Sequence, residues 1–487
     1  MALLLFAVLG PTAVVSALRA DSLLTLDDAV RLALERNPNI KVEAYSPRIA
    51  KANWLTAMGR FDPALTFGRS YTRSYKYPDI PESLPSERVQ TDNYSLALVG
   101  LLPSGLNYSI GGSAENARGP FNNFTDNYAT FGGITLTQPL LRGFGFGANL
   151  VNVRVARANR NISEWEYRQT VINTITNVVL TYSSLLSAHD VLDIARSSRD
   201  LAATLLAENE KRLKIGSMAE SDVITARTQI AMREEAILVA ERQVRNTENQ
   251  LRELIGENSF PPDQPLFIID APVTPDVMVN PAKDLQTALK YRPDYQAARL
   301  GIAIDRANDA SARNGLLPQV DFVGGYGYNG LDSNFAASRH RVTAHKNPSF
   351  SAGLVVTIPL TFAQGRGRAR AARLQLQQDE ADLRRFEADI ALDVANAGGQ
   401  IETTRQRVAA DRAAYALAKQ ALEDEVKKLR AGTGKSSTLS VIQAQQILIS
   451  IENSLAKALA DQRQAVANYD RELGTTLLRY HVTLSNN

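Results

Sequence analysis

The amino-acid sequence predicts an α+β membrane protein built from two internal repeats. Each repeat joins strands of a β-barrel wall to long coiled-coil helices. Three observations predict this: landmarks that recur in the same order, two blocks that concentrate aromatic and glycine residues with period-two alternation, and apolar positions that step by four and three through the remainder.

Taken in chain order, residues 1–20 (MALLLFAVLGPTAVVSALRA) read as a secretory signal peptide, with Ala17 or Ala20 as cleavage candidates. Beyond residue 20 there is no run of 18 consecutive apolar residues, so no membrane-crossing helix is expected, whereas a β-barrel leaves a much weaker trace. The first repeat is expected over 21–260, with strands within 61–138 and long helices within 148–255. A proline-rich linker over 261–281 follows. The second repeat, 282–478, carries strands within 318–362 and helices within 364–474, and 479–487 is a tail.

The repeat rests on specific residues. Ala33, Leu34 and Pro38 recur as Ala288, Leu289 and Pro293, and Pro63 recurs as Pro318, all 255 positions on. Pro139 and Leu140 recur as Pro359 and Leu360, while Gly216 and Gly256 recur as Gly434 and Gly474. The first copy therefore carries an insertion of about 35 residues between its second and third landmarks.

The strand blocks hold 17 of the 33 aromatic residues and 13 of the 29 glycines in 123 positions. Phe350, Ala352, Leu354, Val356, Ile358 and Leu360 alternate with Ser351, Gly353 and Thr357. Val320, Phe322, Tyr326 and Tyr328 alternate with Asp321, Gly325 and Gly327. One face is apolar and aromatic and the other small or polar, as a lipid-facing barrel wall requires. The insertion contains Tyr94–Leu101, a turn over 102–105, and Leu106–Gly112, which reads as an added hairpin; six strands per chain are favoured over four. Neither number closes a barrel of at least eight strands, so self-association by rotation is expected.

Helices fill the rest. Ile390, Val394, Ala397, Ile401, Thr404, Val408, Asp411, Tyr415, Ala418 and Leu422 keep a 4,3 rhythm. So do Val171, Ile175, Val178, Tyr182, Leu185, His189, Leu192, Arg196, Arg199, Ala203 and Leu206. The returning helices carry Val223, Ile230, Ile237, Val244 and Leu251 at seven-residue intervals, then Val441, Leu448 and Leu455. A helix over 148–213 would span roughly 100 Å, matched by the shorter 219–255 and 27–58 helices laid end to end. Pro38 and Pro47 are expected to break or kink the opening helix.

Composition limits the chemistry. The chain has no cysteine, four histidines and a formal net charge of +3, which excludes disulfide frameworks, thiolate metal sites and thiol nucleophiles and argues against nucleic acid as a partner. His189, His340, His345 and His481 lack metal-ligand spacing, and no Ser/His/Asp set can be named, so neither enzyme nor cofactor is expected. GTGKSS at 432–437 is not a phosphate loop, because Leu429 stands where its first glycine would fall and a helix precedes it. Arg366, Arg368, Arg370 and Arg373 read as a solvated helix start near the membrane interface.

The doubled order of LTLDDAVRLALERNPNI with DLQTALKYRPDY, LTQPLL with VTIPLTF, RLKIGSMAESDV with LRAGTGKSSTLSV, and LRELIG with RELGT resembles the TolC family of outer-membrane efflux proteins over about residues 23–478. The resemblance implies a homotrimer whose outer-membrane β-barrel, set in lipid, continues into a long periplasmic α-helical barrel. It also implies an exit duct for efflux or type I secretion, working with a periplasmic adaptor protein and an inner-membrane pump. By the same resemblance the adaptor docks on the helix turns, here Arg212, Leu213, Ile215, Gly216 and Ser217 with Leu429, Arg430, Ala431, Gly432, Thr433 and Gly434. Gate carboxylates would come from Glu208 and Glu210, or from Glu423, Asp424 and Glu425, the alternative being a solvated charged face. The rival class is a coiled-coil envelope protein or adaptor without a pore, which has no use for aromatics alternating in both copies.

Overall fold

The computed structural model describes residues 24–76, 87–256, 266–269, 276–431 and 437–484. The chain divides into two units. The first, hereafter the helical unit, contains residues up to Ala44, Tyr167–Pro293 and the chain from Ala388 onward; the second, the sheet unit, contains Tyr45–Glu166 and Asp294–Glu387.

The elements in order are α1 (Leu26–Arg36), α2 (Pro38–Glu43), α3 (Tyr45–Met58), β1 (Ala64–Lys76), β2 (Glu87–Leu101), β3 (Asn107–Arg118), β4 (Tyr128–Pro139), α4 (Gly145–Asn149), α5 (Val151–Lys214) and α6 (Glu220–Ile255). The second half has α7 (Pro281–Tyr291), α8 (Pro293–Asn314), β5 (Gln319–Asp332), α9 (Phe335–Thr343), β6 (Pro348–Thr357), α10 (Ala363–Arg430), α11 (Thr438–Leu473) and α12 (Thr476–Arg479).

The opening helix is broken where Pro38 requires it. Asn37 leaves the helical region at φ −55°, ψ 125°, and its side chain accepts from the amides of Asn39 and Ile40, with Pro38 in the first turn where no donor is needed. The second copy repeats the break: Arg292 sits at φ −64°, ψ 119°, and α8 begins at Pro293. Pro47 lies in the first turn of α3, among amides without an intrahelical acceptor, so it ends nothing; the chain leaves α2 at Ala44 instead.

In the helical unit the core gathers α1, α5 and α6 around Val171, Ile175, Val178, Tyr182, Leu185, Leu251 and Ile255, all fully buried. Tyr182 donates from its hydroxyl toward the carbonyls of Leu24 (2.9 Å) and Ile269 (2.7 Å), tying in two segments joined by a parallel bridge at Leu24 and Ile268. Two glycines close the returning helices. Gly256, after α6, has φ +92°, and a Cβ there would stand 2.7 Å from Cβ of Arg36. Gly474, after α11, has φ +70°, and its Cβ would stand 2.6 Å from the carbonyl carbon of Tyr291. Each copy thus seats the end of its return helix directly on the end of its opening helix, where only glycine fits.

Most expected seam positions of α10 are buried, from Ile390 through Val408 to Leu422; Ala397, Asp411 and Tyr415 are half-buried. On α5 the seam holds to Leu192 and then moves: Ser198, Ala202 and Asn209 are buried, whereas Arg196 is exposed and pairs with Glu241 at 3.2 Å. Of the extrapolated positions Arg196 is corrected to the exterior, and Arg199, Ala203 and Leu206 are only half-buried, because beyond Leu192 the helix turns another face to α10 and α11, where Leu205 packs against the cluster of Leu422, Leu429 and Val441. One stretch of α5 has a mean hydropathy of 1.2 over 18 residues, enough in length and composition to cross a membrane; two thirds of it is buried within the protein, as in a core helix.

In the sheet unit, β1 to β6 form one antiparallel meander in sequence order. The inserted hairpin is part of it: β2 pairs with β1 and β3 pairs with β4 along their lengths. The turn between them closes with the Leu102 amide donating to the Leu106 carbonyl (2.8 Å), with Gly105 at φ +94°. β6 ends at Thr357, so Ile358 and Leu360 lie beyond the ladder they were expected to extend, at the point where Pro359 has no amide to give.

Candidate functional site

Two regions carry function: the faces of the sheet, and the turns that end α5 and α10.

Register assigns the sheet faces. Phe67 opposes Leu96, which opposes Gly112; Ile110 opposes Ile134, which opposes Tyr326, which opposes Phe350. Directly opposed residues share a face, so this row is one apolar surface crossing all six strands. Phe67 is 73% and Phe350 77% exposed, as side chains meant for lipid rather than for a protein core must be. The other face carries Thr66, Ser70, Ser95, Ser109, Ser113, Thr135, Gly325 and Ser351. Phe131, Val323, Leu331 and Val355 share it, but most of its side chains are small or polar, as the lining of a water-filled lumen would require.

The α5 turn is built by a left-handed glycine. Gly216 (φ +74°) donates to the Leu213 carbonyl and Ser217 to the Arg212 carbonyl at 3.0 and 2.9 Å, satisfying two of the four orphan acceptors at the helix end. Ile215 stands 78% exposed on this turn. At the α10 turn Leu429 is buried and Arg430 exposed. Ala431 ends the described chain there, and Gly432, Thr433 and Gly434 lie outside the described residues. Ser437 caps α11 by accepting from the Ser440 amide at 3.2 Å.

The two turns are joined. Arg212 donates to the Leu429 carbonyl (3.1 Å) and to Glu208 (3.2 Å), and Arg430 approaches the other Glu208 oxygen at 3.7 Å. Fully buried Asn209 reaches the Thr438 hydroxyl at 3.5 Å. Sequence reasoning missed Asn209 and Thr438 because it extrapolated the α5 seam; a drift of one residue after Leu192 would have put Asn209 on the buried line.

The carboxylates nominated for a gate separate into paired and unpaired. Glu208 is shared by two arginines, Glu210 pairs with Arg227 at 2.9 Å, Asp424 with Lys427 at 3.7 Å, and Glu425 with Lys428 at 2.7 Å, which raises the lysine pKa. Glu423 is exposed and has no ion-pair partner among the described residues. No cluster of three or more metal-ligating side chains occurs among the described residues. Half-buried His189 sits alone on α5, and Arg366, Arg368, Arg370 and Arg373 are exposed in the first turns of α10.

A lipid-facing sheet, a polar opposite face and two linked helical turns define an outer-membrane channel subunit. The chain matches the family model "outer membrane efflux protein" over residues 29–257 and 285–475, one match per repeat, and belongs to that family. It is similar to outer membrane efflux protein BepC of Brucella suis, at 25% identity over 404 residues and 78% of each chain. It is also similar to outer membrane protein TolC of Vibrio cholerae, at 24% over 349 residues, 70% of this chain and 76% of the other. Among solved structures, the outer-membrane channel OprN aligns with TM-score 0.70 at 18% identity, covering 92% of this chain and 89% of that one. VceC of Vibrio cholerae aligns at 0.67 and 17%, covering 92% and 96%. The protein is an outer-membrane exit duct of an efflux system, with its helical part in the periplasm.

Proposed function

We propose that three copies close an eighteen-stranded barrel and that the linked helical turns are its gate. The observation that carries this is the six-stranded sheet with β1 and β6 left as open edges. Unpaired backbone cannot face lipid, and six strands fall short of the smallest closed barrel. Because the meander has an even number of strands, β1 and β6 run in opposite directions. Rotation about a threefold axis, as the family implies, therefore sets β6 of one copy antiparallel to β1 of the next.

In this reading the duct conducts passively. A periplasmic adaptor docks on the turns bearing Ile215 and Leu429, and an inner-membrane pump delivers the cargo. The Arg212–Glu208–Arg430 cluster holds one chain's two turns together and is the contact that docking must loosen. Glu423 is the carboxylate left to repel anions at the entrance. The test uses the absence of native cysteine. Ser70→Cys on β1 combined with Ser349→Cys or Ser351→Cys on β6 should give covalent dimers and trimers on oxidation, and the purified protein should conduct in planar bilayers. Monomer alone with both pairs, together with no conductance, defeats the proposal.

A further inference from the structure

Helix α9 interrupts the loop between β5 and β6 and lies on the apolar face of the sheet. Ser338, fully buried, donates from its hydroxyl to the Tyr128 carbonyl (2.8 Å) and accepts from the Thr130 hydroxyl (2.8 Å). A Cβ at Gly330 would collide with the Ser338 carbonyl, and one at Gly132 would stand 2.7 Å from a methyl of Val342, so both glycines let the helix sit directly on β4 and β5. Phe335 meets Tyr128 edge to face at 5.7 Å. The opposite strand ends lead into α4 and α10, so α9 belongs to the exterior end of the wall.

Between α9 and the faces of β1–β3 runs an apolar groove of about 880 Å³, lined by Phe67, Leu96, Ile110, Phe335 and Val342 and rimmed by Arg339. Its walls would accept an acyl chain. Toward the exterior the same face turns basic. Arg69 stacks over Tyr94 at 5.4 Å and Arg88 over Phe124 at 5.1 Å, while Arg73 bonds the Tyr71 hydroxyl at 3.3 Å. Neighbouring charges are partly matched: Arg341 pairs with Asp332, Arg118 with Asp126, and Asp92 lies 3.9 Å from Arg69. Arg73, Arg88 and Arg339 have no carboxylate partner among the described residues. Cations with no carboxylate partner among the described residues, at the edge of a lipid-facing surface and directly above an apolar groove, match a ligand with a phosphate head and acyl tails.

We propose that this groove and its arginines form a binding site for a phosphorylated, multiply acylated glycolipid of the outer leaflet, of the lipid A class. α9 is the clamp that covers one side of its acyl chains. Arginine supplies planar donors suited to phosphate oxygens, and Tyr94 and Phe124 hold two of the guanidinium groups at the interface.

The test is native mass spectrometry of the detergent-extracted protein titrated with diphosphoryl lipid A, fully dephosphorylated lipid A and phosphatidylglycerol. The intact protein should retain diphosphoryl lipid A at least about tenfold more tightly than either of the others. Arg339→Gln with Arg88→Gln and Arg73→Gln should remove most of that preference. Arg384→Gln, an exposed change on α10, should leave it intact, and an unchanged circular dichroism spectrum and thermal midpoint would show that each variant is folded. Equal retention of phosphorylated and dephosphorylated lipid, equal retention of phosphatidylglycerol, or an unaltered preference in the folded triple variant would each overturn the proposal.

Discussion

Replacing Arg212 with alanine tests the gate most directly. Its side chain is 21% exposed and that of Glu208 34%, so the bonds to Glu208 and to the Leu429 carbonyl are partly screened. Glu208 lies one turn away on the same helix, so only the bond to the Leu429 carbonyl distinguishes joined from separated turns; discounted for exposure it contributes about 1 kcal/mol per chain. If the three copies open together, the closed state loses about 3 kcal/mol, a shift of about a hundredfold in the open-to-closed ratio. Planar-bilayer recordings should therefore show rare openings in the parent and long-lived, high-conductance states in Arg212→Ala. Arg212→Lys, which keeps a charge but loses the planar fork, should be intermediate. A trimeric Arg212→Ala protein with parental conductance and open times would refute the assignment of the turns as a gate.

Further expectations follow from the same geometry. Glu423→Ala should lower the cation-to-anion permeability ratio measured by reversal potential, whereas Glu425→Ala should change it little because Lys428 already neutralises that carboxylate; an unchanged ratio in Glu423→Ala would remove Glu423 from the lumen. Asp305, on α8, has its pKa pushed up to about 6 by burial and by its hydrogen bond with Asp379. An aspartate raised above its unfolded value of about 3.9 favours the folded state at low pH and loses that contribution as pH rises through 6. Thermal midpoints should fall between about pH 4 and 6.5, and Asp305→Asn should flatten the slope; a variant with the parental slope would contradict this. Tyr182→Phe leaves two carbonyls without their shared donor and should cost about 1–3 kcal/mol in denaturant unfolding of the helical unit.

The repeat was the most legible feature because its landmarks are residues with one physical use. Pro38 and Pro293 each start a helix after a break, and Gly256 and Gly474 each fill a place where a Cβ collides. Strand faces were legible for the same reason, since alternation over Val320–Tyr328 leaves only one register with an apolar side. Helix α9 was not. FAASRHRVT lies inside an aromatic-rich block, and its anchor, a serine buried against Thr130, carries no pattern; the cap by Asn334 was the available signal. The docking turns were legible from Gly216, but the bond from Arg212 to the Leu429 carbonyl links chain segments far apart in sequence, and nothing local encodes it.

The added hairpin alters the economy of leakage. Barrel diameter grows roughly in proportion to strand number, so the eighteen strands of the proposed trimer would enclose about twice the cross-section of twelve, the size at which porins hold an open aqueous channel. A cell carrying this duct would then depend for its impermeability at that spot on the few contacts around Glu208. Sensitivity to bulky antibiotics, rather than loss of export, would be the first cost of weakening them.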